Sequence, residues 1–265
     1  MREVRVHVDA DVTGTPLASG RQVELPAAAA LHLTRVLRLR QGATLTVFDG
    51  QGGEYGATLH VGSRGAATVE VKEYRAIEQE SPLRITLLQG LARGERMDWV
   101  IQKATELGVA AIIPVASQRS VVQLEAERGD RRVQHWRAVA AAACEQCGRN
   151  TLPRIDAPRD FSDALAAVAE LPLRLLLEPG AGRRLGEVVL GETVLGTDLI
   201  TSVTTARSVA LALLVGPEGG WDESELALAG QAGCTAVRLG PRVLRTETAG
   251  LAALAALQCL AGDFA

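Results

Sequence analysis

Lysine is almost absent from this chain. Of 28 basic residues only Lys72 and Lys103 are lysine, and the rest are arginine. Arginine suits bidentate phosphate contacts and stacking on bases, but a GC-rich genome produces the same bias, so the excess alone assigns no partner. A strong net charge is absent too. At −3 there is no global basic field, and any nucleic-acid contact needs a local patch. Aromatics make up 3%, too few for base-stacking platforms of the RRM kind. No lysine follows Lys103, so there is no P-loop. No Ser-His-Asp pattern stands out, and the four histidines, His7, His32, His60 and His135, lie away from the glycine-rich turns in sequence. The start, Met1-Arg-Glu-Val-Arg, lacks the apolar core of a signal peptide. The longest apolar stretch, around Leu251 to Ala261, is too short to span a bilayer. A cytoplasmic location without membrane contact is expected, and structural disulfides are not. Cys144 and Cys147 form a C-x-x-C late in an alanine-rich helical run, where a redox pair gains no helix N-terminus. Cys234 and Cys259 supply no second C-x-x-C, so no metal site is expected.

What is present is a core-forming chain: 265 residues, 47% hydrophobic and 22% charged. Residues 4–72 read as all-β. Val4, Val6 and Val8 alternate with polar neighbours, and Ala43 to Phe48 and Tyr55 to Val61 flank the hairpin-like turn Asp49-Gly-Gln-Gly-Gly53. Short strands packed this densely predict a small barrel. Between them Arg35, Arg38 and Arg40 form a dense positive cluster, which from charge alone reads as a solvated face. The polar stretch 73–81 predicts a linker. From Pro82 the period changes. Leu83 to Leu91 reads as a strand, Met97, Val100, Ile101, Ala104 and Leu107 as one helix face stopped by Gly108, and Val109 to Val115 as a strand. Val133, Trp136, Ala140, Ala143 and Cys147 mark a second helix. Further strands are Leu173–Leu177, Val209–Val215 and Ala236–Leu239. Asp222 with Glu225 reads as a capping box, and Thr246 as the cap of a last helix. Thr197 to Arg207 reads as an extended loop. Alternating strands and helices predict an α/β domain, 82–265, on a parallel sheet.

Two of these strands run into Gly-Pro turns carrying charge. Val209–Val215 leads into Gly216-Pro-Glu-Gly-Gly220, and the strand after it into Leu239-Gly-Pro-Arg-Val-Leu-Arg-Thr-Glu247. Ligands of open α/β sheets bind outside the carboxyl ends of strands, which makes the paired turns the candidate site. A rival is Glu178-Pro-Gly-Ala-Gly-Arg-Arg-Leu-Gly186, close to a dinucleotide fingerprint but one residue out of step.

With these residues in order, the chain resembles the RsmE family, the 16S rRNA uracil-N3 methyltransferases of the SPOUT class. The residues that carry the likeness are His32 with Val36-Leu-Arg38, Phe48-Asp-Gly50, Arg93-Gly-Glu-Arg-Met97, Gln102 to Val109, Pro114 and Arg119-Ser120. Glu145-Gln146 with Arg149, Gly216 to Gly220 with Glu225, Leu239-Gly240 and Leu244 to Ala249 complete it. The resemblance implies an N-terminal PUA-like barrel over 1–72 that helps hold RNA and a SPOUT α/β domain with a C-terminal trefoil knot. It also implies a homodimer acting on 16S rRNA of the small ribosomal subunit with S-adenosyl-L-methionine (SAM). The cofactor pocket then maps to Leu177 and Glu178, to Leu214, Gly216, Pro217, Glu218, Gly219 and Gly220, and to Leu239, Gly240, Leu244 and Thr246. The RNA footprint maps to Arg35, Arg38, Arg40 and Arg119, with Arg149.

Methylating N3 of uracil requires loss of its proton. Arg245 and Arg149 are the candidates to stabilise charge on the uracil oxygens. Arginine stays protonated and is no base; Glu247 or Glu218 fills that role, or else caps backbone N–H groups. Two other classes stay open on the sequence: a non-catalytic RNA-binding protein with a methyltransferase-like domain, and a nucleotide-dependent oxidoreductase using Gly180–Gly186.

Overall fold

The computed structural model describes residues 4–120, 126–191, 193–194, 197–198 and 209–264. The chain divides into two compact units. One holds Met1–Glu80 together with Ala141–Leu152, the other Ser81–Ala140 together with Pro153–Ala265.

The first unit is a five-stranded sheet of β1 (Arg5–His7), β2 (Gln22–Glu24), β3 (Thr44–Phe48), β4 (Glu54–Val61) and β5 (Ala67–Arg75), in the order β1-β3-β4-β5-β2. β1 runs parallel to β3, and the other pairs are antiparallel. β1 and β2 form the two edges, so among the described residues the barrel is open along that seam. Val6, Val23, Leu45, Val47, Leu59 and Val69, from all five strands, share one core. The β3–β4 turn has Gly50, Gly52 and Gly53 at positive φ, the left-handed region that a tight hairpin needs. Two short helices interrupt the expected all-β segment: α1 (Ala10–Thr13) and α2 (Ala27–Leu31). α2 continues as a π-helical turn over His32–Val36. Residues 73–75, expected in the linker, continue β5. Residues 141–152 enter this unit through specific bonds. The Arg149 guanidinium donates to both carboxylate oxygens of Glu80, at 2.8 and 2.5 Å. The His7 N–H donates to Glu145 at 2.8 Å and the Leu152 N–H to the Gly50 carbonyl at 3.0 Å.

The second unit is a parallel sheet covered on both faces. Its elements in chain order are β6 (Leu83–Gly90), α3 (Arg96–Glu106), β7 (Ala111–Ala116), α4 (Ala126–Cys147, whose last residues belong to the first unit), β8 (Arg154–Ile155), β9 (Arg159–Asp160), α5 (Phe161–Ala166) and β10 (Leu173–Leu177). There follow β11 (Arg183–Arg184), α6 (Leu185–Gly191), a small hairpin of β12 (Thr193–Val194) and β13 (Thr197–Asp198), β14 (Val209–Val215), α7 (Glu223–Gln231), β15 (Thr235–Arg238) and α8 (Thr246–Ala261). The sheet order is β11-β15-β10-β14-β6-β7-β8, with β9 also on β7. Apart from β13, the expected loop Thr197 to Arg207 lies outside the described residues.

The apolar runs alternate between faces, as a strand's period of two demands. On β14, Leu211, Leu213 and Val215 join a core with α3, α6 and α8, while Ala212 and Leu214 join the opposite core with α5 and Trp221. Continuous hydrophobic strands are therefore the signature of a sheet buried on both sides. Pro114 sits inside β7 without cost. Val115 faces β6, so Pro114 faces outward, into the gap between β8, which pairs to Ala111 and Ile112, and β9, which pairs to Val115 and Ala116. No ladder bond is lost there. Among the described residues no helix is long and apolar enough to cross a membrane.

Candidate functional site

Parallel strands end on one side of a sheet, and here the ends of β10, β14 and β15 open a cavity of about 380 Å³. That volume suits a drug-sized ligand. Its apolar wall includes Leu177, Val215, Val237, Leu239 and Leu244, and its polar groups include Glu178, Glu218 and Glu247 with Arg96, Arg242 and Arg245. Leu177, Glu178, Gly216, Pro217, Glu218, Gly220, Leu239, Gly240, Leu244, Arg245, Thr246 and Glu247, all singled out in the sequence, line this one space. Two do not. Leu214 is fully buried on the opposite face of the sheet, because its neighbour Val215 takes the cavity side. Gly219 backs onto Arg119: a Cβ there would come within 3.0 Å of the Arg119 Cβ.

The turn after β14 is held from three directions. Gly220 has φ +70°. Arg119 donates to the Gly219 carbonyl at 3.3 Å and contacts Asp222 at 3.4 Å. Asp222 and Glu225 form the expected capping box of α7, and the buried Glu225 also accepts the Gln118 N–H at 3.0 Å. Beneath the turn, β6 ends at Gly90. A Cβ at Gly90 would stand 2.4 Å from the Pro217 nitrogen, a distance no real Cβ contact tolerates. Gly90→Ala is therefore expected to push the 216–220 turn out of place and weaken ligand binding in the cavity at least tenfold. Calorimetric titration of the variant measures this, and an unchanged dissociation constant would show that the turn is not held by this contact.

The first turn of α8 supplies the reactive-looking groups. Thr246 is not the cap but the first helical residue. Arg245 holds the cap position without a side-chain bond, and the Thr246 hydroxyl reaches across to the Gly216 carbonyl at 2.5 Å. Because that hydroxyl spends its one hydrogen there, it can only accept from the Gln89 amide, which donates at 2.9 Å. Gln89 is fully buried on β6 beside Val215. The relay Gln89–Thr246–Gly216 thus ties the α8 N-terminus to the β14 turn. Sequence reading missed Gln89, since only the fold brings positions 89, 216 and 246 together.

The acids differ sharply. Glu218 accepts from the Arg93 N–H at 3.2 Å and the Arg96 guanidinium at 2.8 Å. Burial alone would raise its pKa, but these donors and its own backbone N–H hold the carboxyl below the usual range. It behaves as a backbone cap and ion-pair partner. Glu247 keeps one buried carboxylate oxygen with no hydrogen-bond partner, and its other oxygen stands 3.8 Å from Arg96. The buried Trp221 indole N–H, on the same cavity wall, is also without a partner. Two orphaned polar atoms in one cavity are the mark of a ligand site. Arg242 and Arg245 are exposed at its mouth and form no ion pair among the described residues.

Arg149 stands elsewhere. Its side chain is 5% exposed, bound to Glu80 in the first unit, and it does not line the cavity. A guanidinium so engaged belongs to the fold. The Cys144 thiol is also buried, and its bond with Cys147 together with burial pushes its pKa up, opposite to a reactive thiolate. The rival glycine loop is no dinucleotide turn. After β10 the chain pairs again as β11 on β15 before any helix begins, and Arg238 binds the Ala181 and Gly182 carbonyls, the latter at 3.2 Å. The loop turns carbonyls, not N–H groups, toward its partner.

The match to known proteins covers both units. An RNA methyltransferase domain family matches residues 79–258, and an RNA methyltransferase PUA domain family matches 25–72. The ribosomal RNA small subunit methyltransferase E of Bacillus subtilis is 32% identical over 88% of this chain and 89% of its own length. The chain belongs to this methyltransferase E family. The Mycobacterium bovis member is 34% identical over 86% of this chain and 83% of its own. Among solved structures, the Neisseria gonorrhoeae ribosomal RNA small subunit methyltransferase E bound to S-adenosyl methionine superposes with TM-score 0.83, 37% identity and full coverage of both chains. A Legionella pneumophila methyltransferase with bound SAM gives TM-score 0.87, 32% identity and full coverage of both chains.

Proposed function

We propose that this protein transfers the methyl group of SAM to N3 of a uridine in 16S rRNA of the small ribosomal subunit. The observation that carries the reading is the convergence of a carboxylate with one buried, unpartnered oxygen, Glu247, and an unpaired guanidinium, Arg245, at the start of α8, at a cavity walled by three strand ends. The residues present fit SAM. Leu177, Val215, Val237, Leu239 and Leu244 offer an apolar slot for an adenine, and Glu178, Glu218 and Glu247 offer negative charge to a sulfonium or ammonium. When bound, SAM supplies an electrophilic methyl on a positively charged sulfur. The N3–C bond forms as the S–C bond breaks, and the N3 proton passes to Glu247. Arg245, reaching in from the mouth, meets the negative charge that develops on the uracil oxygens. Glu218 stays ionised in its pair with Arg96 and fixes the β6–α3 loop.

The chain leaves β15 on one flank of β10, and its next helix begins at the end of β14 on the other flank. That crossing supports the trefoil knot implied by the family resemblance. Val243, 79% exposed on the cavity rim, supports a second copy covering this edge in a homodimer. A cytoplasmic location accords with a ribosomal substrate.

The deciding experiment is base-resolved mapping of methylation in rRNA from a strain lacking the gene. One N3-methyluridine in the small-subunit rRNA should disappear and return on complementation. Loss of a ribose methyl instead, or no loss, rejects the reading. The non-catalytic alternative predicts no thermal shift with SAM.

RNA contact is assigned to Arg35, Arg38 and Arg40 on the first unit and to Arg119 on the second. The first three are exposed and form no ion pair among the described residues, and Arg38 is the one described non-glycine residue at positive φ, +55°. Phosphate contacts release counterions. The triple variant Arg35→Ala/Arg38→Ala/Arg40→Ala is expected to flatten the slope of log affinity against log salt by about 2–3 for a single-stranded rRNA fragment. An unchanged slope removes this patch from the footprint.

A further inference from the structure

The second unit carries another cavity, of about 220 Å³, that the reaction above does not use. Its floor is Leu91, Met97 and Trp136, and its rim is Asp98, Arg132 and His135. We propose that it is a subsite for the base of a nucleotide flanking the methylated uridine. The proposal rests on the RNA-methyltransferase reading.

Position is the first argument. The loop from β6 to α3 is a wall common to both cavities. The Arg93 N–H and the Arg96 guanidinium bind Glu218 of the first, while Leu91, Ala92 and Gly94 line the second. Consecutive Cα atoms are about 3.8 Å apart, so the two spaces are separated by little more than one backbone. A single strand with one base in the first cavity lays its neighbour over this loop.

Chemistry is the second. Trp136 lines the cavity, and its side chain makes no hydrogen bond among the described residues. An indole N–H only donates, and a base carbonyl or ring nitrogen supplies an acceptor. On the rim the His135 Nε2 and Asp98 Oδ2 are 2.7 Å apart. That pairing leaves the second imidazole nitrogen and the second carboxylate oxygen for the edge of a base. Arg132 is exposed and without an ion pair among the described residues, as a phosphate ligand would be. An apolar floor, an unpartnered donor, a two-atom polar edge and a cation match a ribonucleotide. A mere packing defect would be lined by apolar atoms alone.

The test uses Trp136→Phe, which keeps an aromatic side chain and removes the donor, and His135→Ala, at an exposed position that leaves the core alone. Steady-state methylation of a small-subunit rRNA fragment and SAM titration are measured on each full-length variant. Loss of one hydrogen bond to RNA should raise KM for the fragment about three- to tenfold, with kcat within about twofold and SAM affinity unchanged. Wild-type KM in both variants overturns the subsite. A parallel loss of SAM affinity also overturns it, because the cavity is then only packing that supports the first site. A wild-type protein that does not methylate the fragment overturns the RNA-methyltransferase reading with it, and this outcome is seen before any variant is made.

Discussion

Arg245→Ala is expected to lower kcat for methyl transfer about 10²- to 10³-fold while SAM affinity stays within about twofold of wild type. The magnitude is that of removing one preorganised donor from a developing oxyanion. The split follows from place. The apolar slot and the β14 turn, proposed to hold the cofactor, are anchored by Gln89, Thr246, Glu225 and Arg119, and none of these bonds uses the Arg245 side chain. Arg245 is exposed at the mouth with no ion pair among the described residues, so its removal leaves no buried partner uncompensated and should not unfold the unit. Single-turnover methylation of rRNA beside calorimetric SAM titration reads both quantities. Unchanged turnover would remove Arg245 from the chemistry, and equal losses in both would make it a cofactor ligand.

Glu247→Gln is expected to cost about 10²- to 10⁴-fold in kcat, the usual worth of a positioned general base. The amide keeps the shape and the buried position but takes no proton. The N3 proton must then leave to hydroxide, and the residual rate should climb with pH by about tenfold per unit. The same substitution at Glu218 should do something different. That carboxylate is already bound by the Arg93 N–H and the Arg96 guanidinium, so Glu218→Gln should loosen the β6–α3 loop and raise KM for SAM more than it lowers kcat. If Glu218→Gln shows the steep pH climb and Glu247→Gln does not, the two roles are exchanged.

Much of this was legible in the chain. The change from a two-residue to a 3.6-residue period near Pro82 marks where one sheet ends and the other begins. The alternation of strands with helices after Pro82 predicts a parallel sheet covered on both faces, and the continuous apolar run at β14 fits it. Of the twelve pocket residues that the family resemblance implies, ten line one cavity, and Arg245 and Glu247 line it with them. The two that do not are instructive. Leu214 and Val215 look alike in sequence, but a pleat sends them to opposite faces. Gly219 is a glycine for Arg119, not for a ligand.

Other features were decided only by tertiary structure. Gln89 and Gly90 carry no motif; their roles come from the pairing of β6 with β14, which sets them under a turn 127 residues later. Thr246 looks like a helix cap and instead bonds another strand's carbonyl. Arg149 has the charge of a catalytic arginine, yet Glu80 and burial claim it. Of the two acids at the cavity, nothing local separates Glu218 from Glu247. Arg96, brought in from α3, neutralises the first and leaves the second with an unpartnered oxygen. Sequence by itself determined the main strands and helices, their layering and the end of the sheet where the candidate site opens, because periodicity and turn chemistry are local. Which carboxylate keeps an unpartnered oxygen, which arginine is exposed and which glycine makes room depend on neighbours about 70 to 150 residues away, and only the packed fold supplies them.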